Sequence, residues 1–322
     1  MPVVVIGGAG YIGSHIVQSL MPSEDVVVVD DLSTGDARRI EGTRLERIDI
    51  TSDAAADALA RLMAEVRADA VILLAARKRV DESVARPAWY YRQNVGGTAN
   101  VLDAMERAGV PALVFSSSAA VYGSPSDGVV SESLTPAPVN PYGETKLACE
   151  WLVQDAARAW GLRAVSLRYF NVAGAVSALL ADDQALNLIP ITLRLLAAGT
   201  RPRVYGTDYP TADGSCVRDY VHITDLVDAH VATLRHVVDG ARTLTTPALN
   251  VGTGVGSSVL EVMAEIAHVT GVEADPELLG RRAGDPASVV ADVGLIERTL
   301  GWRARFGLES IVASAIAAQR HV

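Results

Sequence analysis

Cysteine is scarce in this chain: there are two, Cys149 and Cys216, and neither belongs to a C-x-x-C pair. A disulfide framework is therefore excluded, and reduced thiols point to a cytoplasmic protein. The six histidines show no ligand spacing, so no metal site is expected, and His222 reads as a satisfied core or loop histidine. Long apolar runs are missing as well. The opening Met1-Pro-Val-Val-Val-Ile has no basic region before it and is too short for a secretion signal or a membrane span, so it reads as a buried strand. No internal repeat, low-complexity tract or charge block is present, which argues against disordered interaction tails. Positive charge is in deficit, 28 Lys and Arg against 38 Asp and Glu, for a formal net charge of -10. That excess repels nucleic acid and anionic lipid, so neither is an expected partner.

What is there is apolar mass, 49% of 322 residues, enough for one large core or a core and a smaller lobe. Short β-branched runs at 3–6, 26–30, 45–48, 70–74, 112–116 and 164–168 alternate with helical patterns at 11–20, 54–66, 97–108 and 141–160. This is the βαβ alternation of an α/β, doubly wound Rossmann sheet with right-handed crossovers. Beyond residue 170 the chain turns loop-rich, notably at 206–214 and 275–286, which reads as a smaller interleaved substrate lobe. The expected organisation is a dinucleotide-binding domain over 1–170, with returning segments within about 219–252, and a substrate lobe over 171–218 and 253–322. Strand-like pieces at 219–223 and 249–251 are the candidates for return to the main sheet.

The first strand runs into Gly7-Gly-Ala-Gly10-Tyr11-Ile12-Gly13, which satisfies G-x-G-x-x-G from Gly8. Glycines let the backbone approach a pyrophosphate whose charge the following helix start stabilises. Asp30, at the end of the next strand, has the position to accept from both ribose hydroxyls and repel a 2′-phosphate, which favours NAD over NADP. Arg38 and Arg39 stand against that preference. A second glycine-rich run, Asn250 to Gly256, is not followed by an acid-ended strand and reads as a turn.

In Asn140-Pro-Tyr142-Gly-Glu-Thr-Lys146 a capping residue and a proline at the first helical position precede Tyr and Lys four residues apart, so both leave one helix face. A tyrosine serving as base near neutral pH needs its pKa lowered by about three units, roughly 4 kcal/mol. One positive charge about 5 Å away, at an effective dielectric near 20, supplies about 3 kcal/mol, so Lys146 and an oxidised nicotinamide suffice together. Upstream, Ser116-Ser-Ser118 lies at the carboxyl end of a strand, where parallel sheets place ligands.

Together these residues make the chain resemble the extended short-chain dehydrogenase/reductases, most nearly the UDP-glucose 4-epimerase-like nucleotide-sugar epimerases. The likeness spans nearly the whole length, through Asp30 to Gly35, Asp49-Ile50, Asn94 to Thr98, Ser116 to Gly123, Asn140 to Lys146, Arg168 to Asn171, Val217 to Tyr220 and Arg281 to Asp285. It implies Tyr142 as base, Lys146 on ribose and tyrosine, and Ser118 on the sugar hydroxyl. For the cofactor it implies the loop Asp30, Asp31, Leu32, Ser33, Thr34 and Gly35 beside the adenosine ribose, with Asp49 and Ile50 lining the adenine. Leu74, Ala75, Ala76, Lys78, Asn94 and Ser116 would lie along the dinucleotide and Tyr169 near the nicotinamide. Substrate contacts implied are Asn171, Asn187, Leu188, Arg218, Arg282 and Asp285 on the UDP moiety, Tyr205 stacked on uracil, and Val289 gating the sugar pocket.

The activity implied is NAD-dependent inversion of C4 in a UDP-hexose, UDP-glucose or UDP-galactose, through a transient 4-keto sugar, with N-acetylated forms admitted by the modest size of Val289. The alternatives are an epimerase of another UDP-sugar, a uronate or pentose derivative, then a dehydratase or reductase, then a non-catalytic NAD-binding protein. Related dehydratases carry an acidic pair where this chain has Ala119 and Ala120, and non-catalytic relatives usually lose the Tyr or the Lys. Ile6, where Thr is frequent, and Leu73-Leu-Ala-Ala76, where a segment beginning with His is more usual, depart from the pattern. The helices at 97–108 and 151–160 match ones that pair across a two-fold axis in the family, which implies a homodimer.

Overall fold

A computed structural model describes residues 1–126, 128–184, 187–240, 247–282 and 284–319. Residues 241–246 of the expected returning segment and Ala283 of the 281–285 motif lie outside that set. The strands in chain order are β1 (Pro2–Ile6), β2 (Asp25–Val29), β3 (Arg44–Glu46), β4 (Ala70–Leu73), β5 (Ala112–Ser116), β6 (Val129–Val130) and β7 (Arg163–Tyr169), followed by β8 (Asn171–Ala173), β9 (Arg203–Tyr205), β10 (Val217–His222), β11 (Ala248–Val251), β12 (Gly256–Ser258), β13 (Glu277–Leu279) and β14 (Ser288–Ala291).

The main sheet has seven strands in the order β11-β7-β5-β4-β1-β2-β3. Its inner strands pair in parallel, β1 lying between β2 and β4, so Val and Ile are buried on both faces, which is why these strands read as unbroken apolar runs rather than alternating ones. Helices Ala55–Val66, Gly97–Ala108 and Pro141–Trp160 cover one face, packing Leu59, Met63, Val101, Met105 and Val153 against Val4, Val71 and Leu113. The reversal of strand order falls between β1 and β4, the place where such sheets hold ligands outside their carboxyl ends.

Contacts divide the chain into two compact units. The first comprises Met1–Val121, Pro138–Arg168 and Val227–Leu249, the second Tyr122–Ala137, Tyr169–Leu226 and Asn250–Val322. In the second unit β12, β10, β14 and β6 form a sheet with β8 also on β10, and β9 pairs with β13. Helices Leu188–Ala197, Val259–Thr270 and Leu308–Gln319 bury Ile189, Leu193, Val262, Ile266, Ile311 and Val312 in its core.

Two expectations are changed by this arrangement. The segment Tyr122–Ala137, expected within the Rossmann domain, packs with the second unit. The piece at 219–223, expected to return to the main sheet, belongs to β10 of the second sheet, and only β11 returns. The reason lies in Asp219. Its fully buried carboxylate accepts from Thr253 N and Oγ1 at 2.8 Å, from Gly254 N at 2.9 Å and from Ala291 N at 3.2 Å, which ties β10 to the glycine-rich 250–256 turn and to β14. The second glycine run thus surrounds the chain's own carboxylate. His222 is buried, with Nδ1 accepting from Thr224 N and Nε2 beside Ser314 Oγ at 2.9 Å, so it is a satisfied core residue.

Asp219→Ala would leave the buried Ala291 N–H and the more accessible Thr253 and Gly254 N–H groups without their acceptor and should lower unfolding stability by about 2 kcal/mol, read by urea titration; a loss below about 0.5 kcal/mol would show that the carboxylate does not organise this sheet.

Candidate active site

The glycine turn is shaped by sterics. A Cβ at Gly13 would sit 2.2 Å from the Gly7 carbonyl oxygen, so no side chain is tolerated where the helix Tyr11–Leu20 leaves the strand. At Gly10 the situation is reversed: a Cβ would meet only Gly7 O at 3.5 Å, and the space in front of that position is open. Gly10 is the N-cap, extended at φ -76° and ψ 178°, and the first helical bond returns from Ser14 N to its carbonyl at 2.9 Å. The turn before that bond therefore presents the helix's positive end to whatever occupies the opening. Tyr11 is buried with its ring edge-on to His15, and Ile12 is half-buried beside it.

Asp30 follows β2 and is 9% exposed; its carboxylate accepts from Ala9 N at 3.0 Å and Leu32 N at 2.9 Å, joining the glycine turn to the 30–35 loop. Burial lifts its pKa above the usual carboxylate range, against those two bonds. Each oxygen keeps acceptor capacity for a ribose hydroxyl. Within the same loop Asp31 accepts from Ser33 N and Oγ, Leu32 has φ 58°, Gly35 packs on Ala9 and Asp30, and Ser33 and Thr34 are exposed. The two arginines that weighed against NAD are engaged elsewhere. Arg38 forks onto Asp36, which it draws down to about 2, and Arg39 is buried. The opening before Gly10, the helix end and the placement of Asp30 fit a dinucleotide.

Along the rest of the groove-forming loops, Asp49 accepts from Thr51 N and Oγ1, and Ile50 packs against Gly97. Leu74 N and Ala75 N donate to Ile6 O, carrying the chain through Ala76 to Lys78, which is exposed. Asn94 lies in a π-helical segment, Arg92–Gly96, and is buried. Its amide accepts from Arg77 N and donates to Arg77 O and Thr145 Oγ1, so it fixes this loop to the helix bearing Tyr142 and Lys146. Arg77, unmarked in the sequence reading, also reaches Asp31 at 3.8 Å and Gln93 at 3.3 Å.

That helix, Pro141–Trp160, starts where Asn140 Oδ1 accepts from Gly143 N at 2.9 Å, with Pro141 in its first turn, and ends at Gly161 with φ 78°. Gly143 has no room for a Cβ, which would lie 2.6 Å from Ala120 O, so the tyrosine end of the helix sits directly on the 119–122 turn. Tyr142 is 9% exposed, and the nearby Ser118 hydroxyl favours its phenolate; Ser118 Oγ accepts from Ala120 N at 3.1 Å. Lys146 is buried, its ammonium donating to Ser116 O at 2.8 Å and lying 5.1 Å from the Phe115 ring centre.

Burial raises the Tyr142 phenol above its ordinary value, opposed by Ser118, and burial draws Lys146 down to about 8, opposed by Cys149 and Glu150. An oxidised nicotinamide beside the ring would add a cation that works with Lys146 against that rise.

In the second unit the expected substrate residues form two groups. Arg218 on β10 donates to the carbonyls of Val217 and Pro286 and lies 3.4 Å from Asp285, with Val289 its register partner on β14. Arg282 stacks 3.7 Å over the Tyr205 ring and pulls that phenol's pKa down, so one face of the ring expected to meet uracil already carries a guanidinium. Asn171 opens β8 opposite Tyr220, and Asn187 donates to Val172 O ahead of Leu188, the first residue of the next helix. Tyr169 ends β7.

A parallel sheet with a glycine turn at its reversal point, a serine just past the end of β5, and Tyr and Lys four residues apart on the helix whose lysine bonds that strand end define a Rossmann-fold nicotinamide-dependent enzyme of the short-chain dehydrogenase/reductase type. A family model described as the NAD dependent epimerase/dehydratase family matches residues 3–252, and the chain belongs to that family. It is 43% identical over 99% of its length to a UDP-glucose 4-epimerase of Azospirillum brasilense, 92% of which is covered. Among solved structures it is similar, at 40% identity and TM-score 0.93, to the UDP-glucose 4-epimerase of Stenotrophomonas maltophila with bound NAD and formylated UDP-arabinopyranose, covering 100% of this chain and 98% of that one. The Brucella ovis UDP-glucose 4-epimerase in complex with NAD gives the same identity and TM-score, with 99% and 98% covered.

Gly10→Ala should weaken NAD binding at least tenfold, about 1.4 kcal/mol, at nearly unchanged melting temperature, whereas Gly13→Ala should lower both. Calorimetric NAD titration with thermal unfolding separates these, and unimpaired NAD binding by Gly10→Ala would place the dinucleotide elsewhere.

Proposed function

We propose that this protein interconverts the C4 epimers of a UDP-hexose, UDP-glucose and UDP-galactose, with NAD retained throughout. The observation that carries the reading is the buried pair Tyr142 and Lys146 on one helix face, the ammonium bonded at 2.8 Å to the carbonyl of Ser116, two residues before Ser118 and beside alanines at 119 and 120. The family spans epimerases and dehydratases, and eliminating water needs an acid and a base in addition to the hydride step. Neither alanine can serve, so inversion without elimination is the chemistry this turn supports. Retention of Ser118, Tyr142 and Lys146 together favours an enzyme over a non-catalytic NAD binder.

Bound NAD supplies a reversible acceptor for the hydride of C4. Tyr142 takes the proton of the 4-hydroxyl, Ser118 holds that hydroxyl by hydrogen bonding, and Lys146 keeps positive charge near the phenolate so formed. The 4-keto sugar must turn over before it is reduced on its other face, so the UDP end must hold it meanwhile. Arg218 and Arg282 with Asn171 and Asn187 supply donors for the diphosphate, Asp285 an acceptor for the uridine ribose, and Tyr205 a ring for uracil. Net oxidation is zero.

A second reading concerns the sugar. Val289 is buried and of modest size, which favours room for an N-acetylated hexose, and the S. maltophila relative holds a pentose-derived UDP-sugar. We also infer a cytoplasmic homodimer. No described helix is long and apolar enough to cross a membrane, both cysteines are free, and Trp151 and Tyr91 are exposed at 58% and 40% on the outer side of the tyrosine helix and its neighbour.

Purified protein given UDP-galactose without added nucleotide should produce UDP-glucose, followed by NMR; absence of turnover even with added NAD would remove the proposal. Tyr142→Phe should lower the rate by about a thousandfold or more while NAD stays bound. Trp151→Glu should shift sedimentation toward the monomer, and an unchanged species would move the dimer contact off this helix.

A further inference from the structure

Lys146, Cys149 and Glu150 lie three and four residues apart and so share one face of the tyrosine helix. Glu150 is fully buried, and both its oxygens are engaged. Oε1 accepts from the Ser117 hydroxyl at 2.5 Å and from Arg168 Nε at 2.9 Å, and Oε2 accepts from Arg168 Nη2 at 2.6 Å. Arg168, on β7, is itself 5% exposed. Ser117 stands between Ser116, whose carbonyl holds the ammonium, and Ser118, whose hydroxyl favours the phenolate of Tyr142. The buried ion pair is therefore tied to the middle residue of the strand end on which the reacting groups depend.

We propose that Glu150 is a positioning residue for the Ser118, Tyr142 and Lys146 set: its carboxylate, fixed by Arg168 and Ser117, is the standing counter-charge that keeps Lys146 an ammonium, and through Ser117 it holds the strand end in place.

Among the described residues packed around Lys146, Glu150 is the carboxylate that its own helix supplies. On β5 it faces the Phe115 ring and the Ser116 carbonyl, and the Ser116 hydroxyl is bonded to His230 from the helix Ile223–Val238. On its own helix it has Tyr142, Cys149 and Glu150; from the helix Gly97–Ala108, Thr98 donates to Cys149 Sγ. Burial holds both the Tyr142 phenol and the Cys149 thiol above their ordinary pKa values, so each is neutral near neutral pH. Arg168, paired with that carboxylate at 2.6 Å, contributes the opposite sign. Glu150 remains as the anion working against the burial that draws Lys146 to about 8. A lysine that lost its proton would no longer stabilise a phenolate, so the charge sets the upper pH at which Tyr142 can act.

The charge relation can be tested without any sugar; only its effect on turnover rests on Tyr142 being the base. The chain contains two lysines, Lys78 and Lys146. Protein labelled with ¹³C at lysine Cε therefore gives two resonances, assigned with Lys78→Arg and titrated by NMR. Glu150→Gln should lower the Lys146 midpoint by about one pH unit or more. Arg168→Met, which removes a cation, should leave it at or above the wild-type value. Should Glu150→Gln fail to fold with Arg168 unpaired, Glu150→Gln/Arg168→Met removes the pair together and should still titrate below wild type. A wild-type midpoint in the Glu150 variants, or an equal fall in Arg168→Met, would overturn the proposal by reducing the pair to packing. The alkaline limb of the turnover rate should follow the resonance; a limb that stays put while the resonance moves would count against Tyr142 as base, not against the role of Glu150.

Discussion

Removing an ammonium from water is tolerated only where fixed acceptors and an opposite charge replace the solvent, and the placement of Lys146 imposes that requirement on everything near it. The Ser116 carbonyl is available because β5 ends there, leaving the last peptide without a ladder partner for its oxygen. The helix can present Lys146 at that oxygen only if its own start is fixed, which Asn140 and the tight seat of Gly143 on Ala120 accomplish. Ser118 follows two residues on from the same strand end, and its hydroxyl opposes the rise that burial gives the Tyr142 phenol. Catalytic geometry and charge burial are thus one packing solution.

The two glycine-rich turns make an instructive pair. Both follow a strand and lead toward a helix, and both gather backbone N–H groups. In the 250–256 turn the donors converge on Asp219, so the anion is built into the chain and the turn is a structural joint. In the 7–13 turn the chain's own Asp30 takes only the Ala9 N–H, while a Cβ at Gly10 would meet nothing nearer than Gly7 O at 3.5 Å and the helix start has no side-chain cap, which leaves that helix end suited to an anion from outside. The difference is where the chain's carboxylate sits: in the centre of one turn and at the side of the other.

Much of this was readable from residue order. Alternating valine runs and helical periods gave the main strands to within a residue or two, and the i,i+4 spacing with its capping Asn-Pro placed Tyr142 and Lys146 on one helix face. What could not be read were the partners far along the chain. Ser117 and Glu150 are 33 positions apart, Ser116 and His230 are 114 apart, and neither pair leaves a period or a motif. The strand at 217–222 was misassigned for the same reason: its apolar pattern suits either sheet, and only the bonds of Asp219 choose between them. The burial of Tyr142, which raises its phenol's pKa, is likewise reported by no local spacing.

The interleaving of the two units has a consequence for how the molecule is made. The sheet's outer strand β11 comes from residues 248–251, and the chain changes unit after Val121, Ala137, Arg168, Leu226 and Leu249. On the ribosome, the nucleotide-binding half therefore waits for sequence encoded long after its glycine turn has emerged, with the flank of β7 unpaired in the interval. Gene truncation or exchange of one half by recombination would cut through both units at once, so the two have had to be inherited as a single piece.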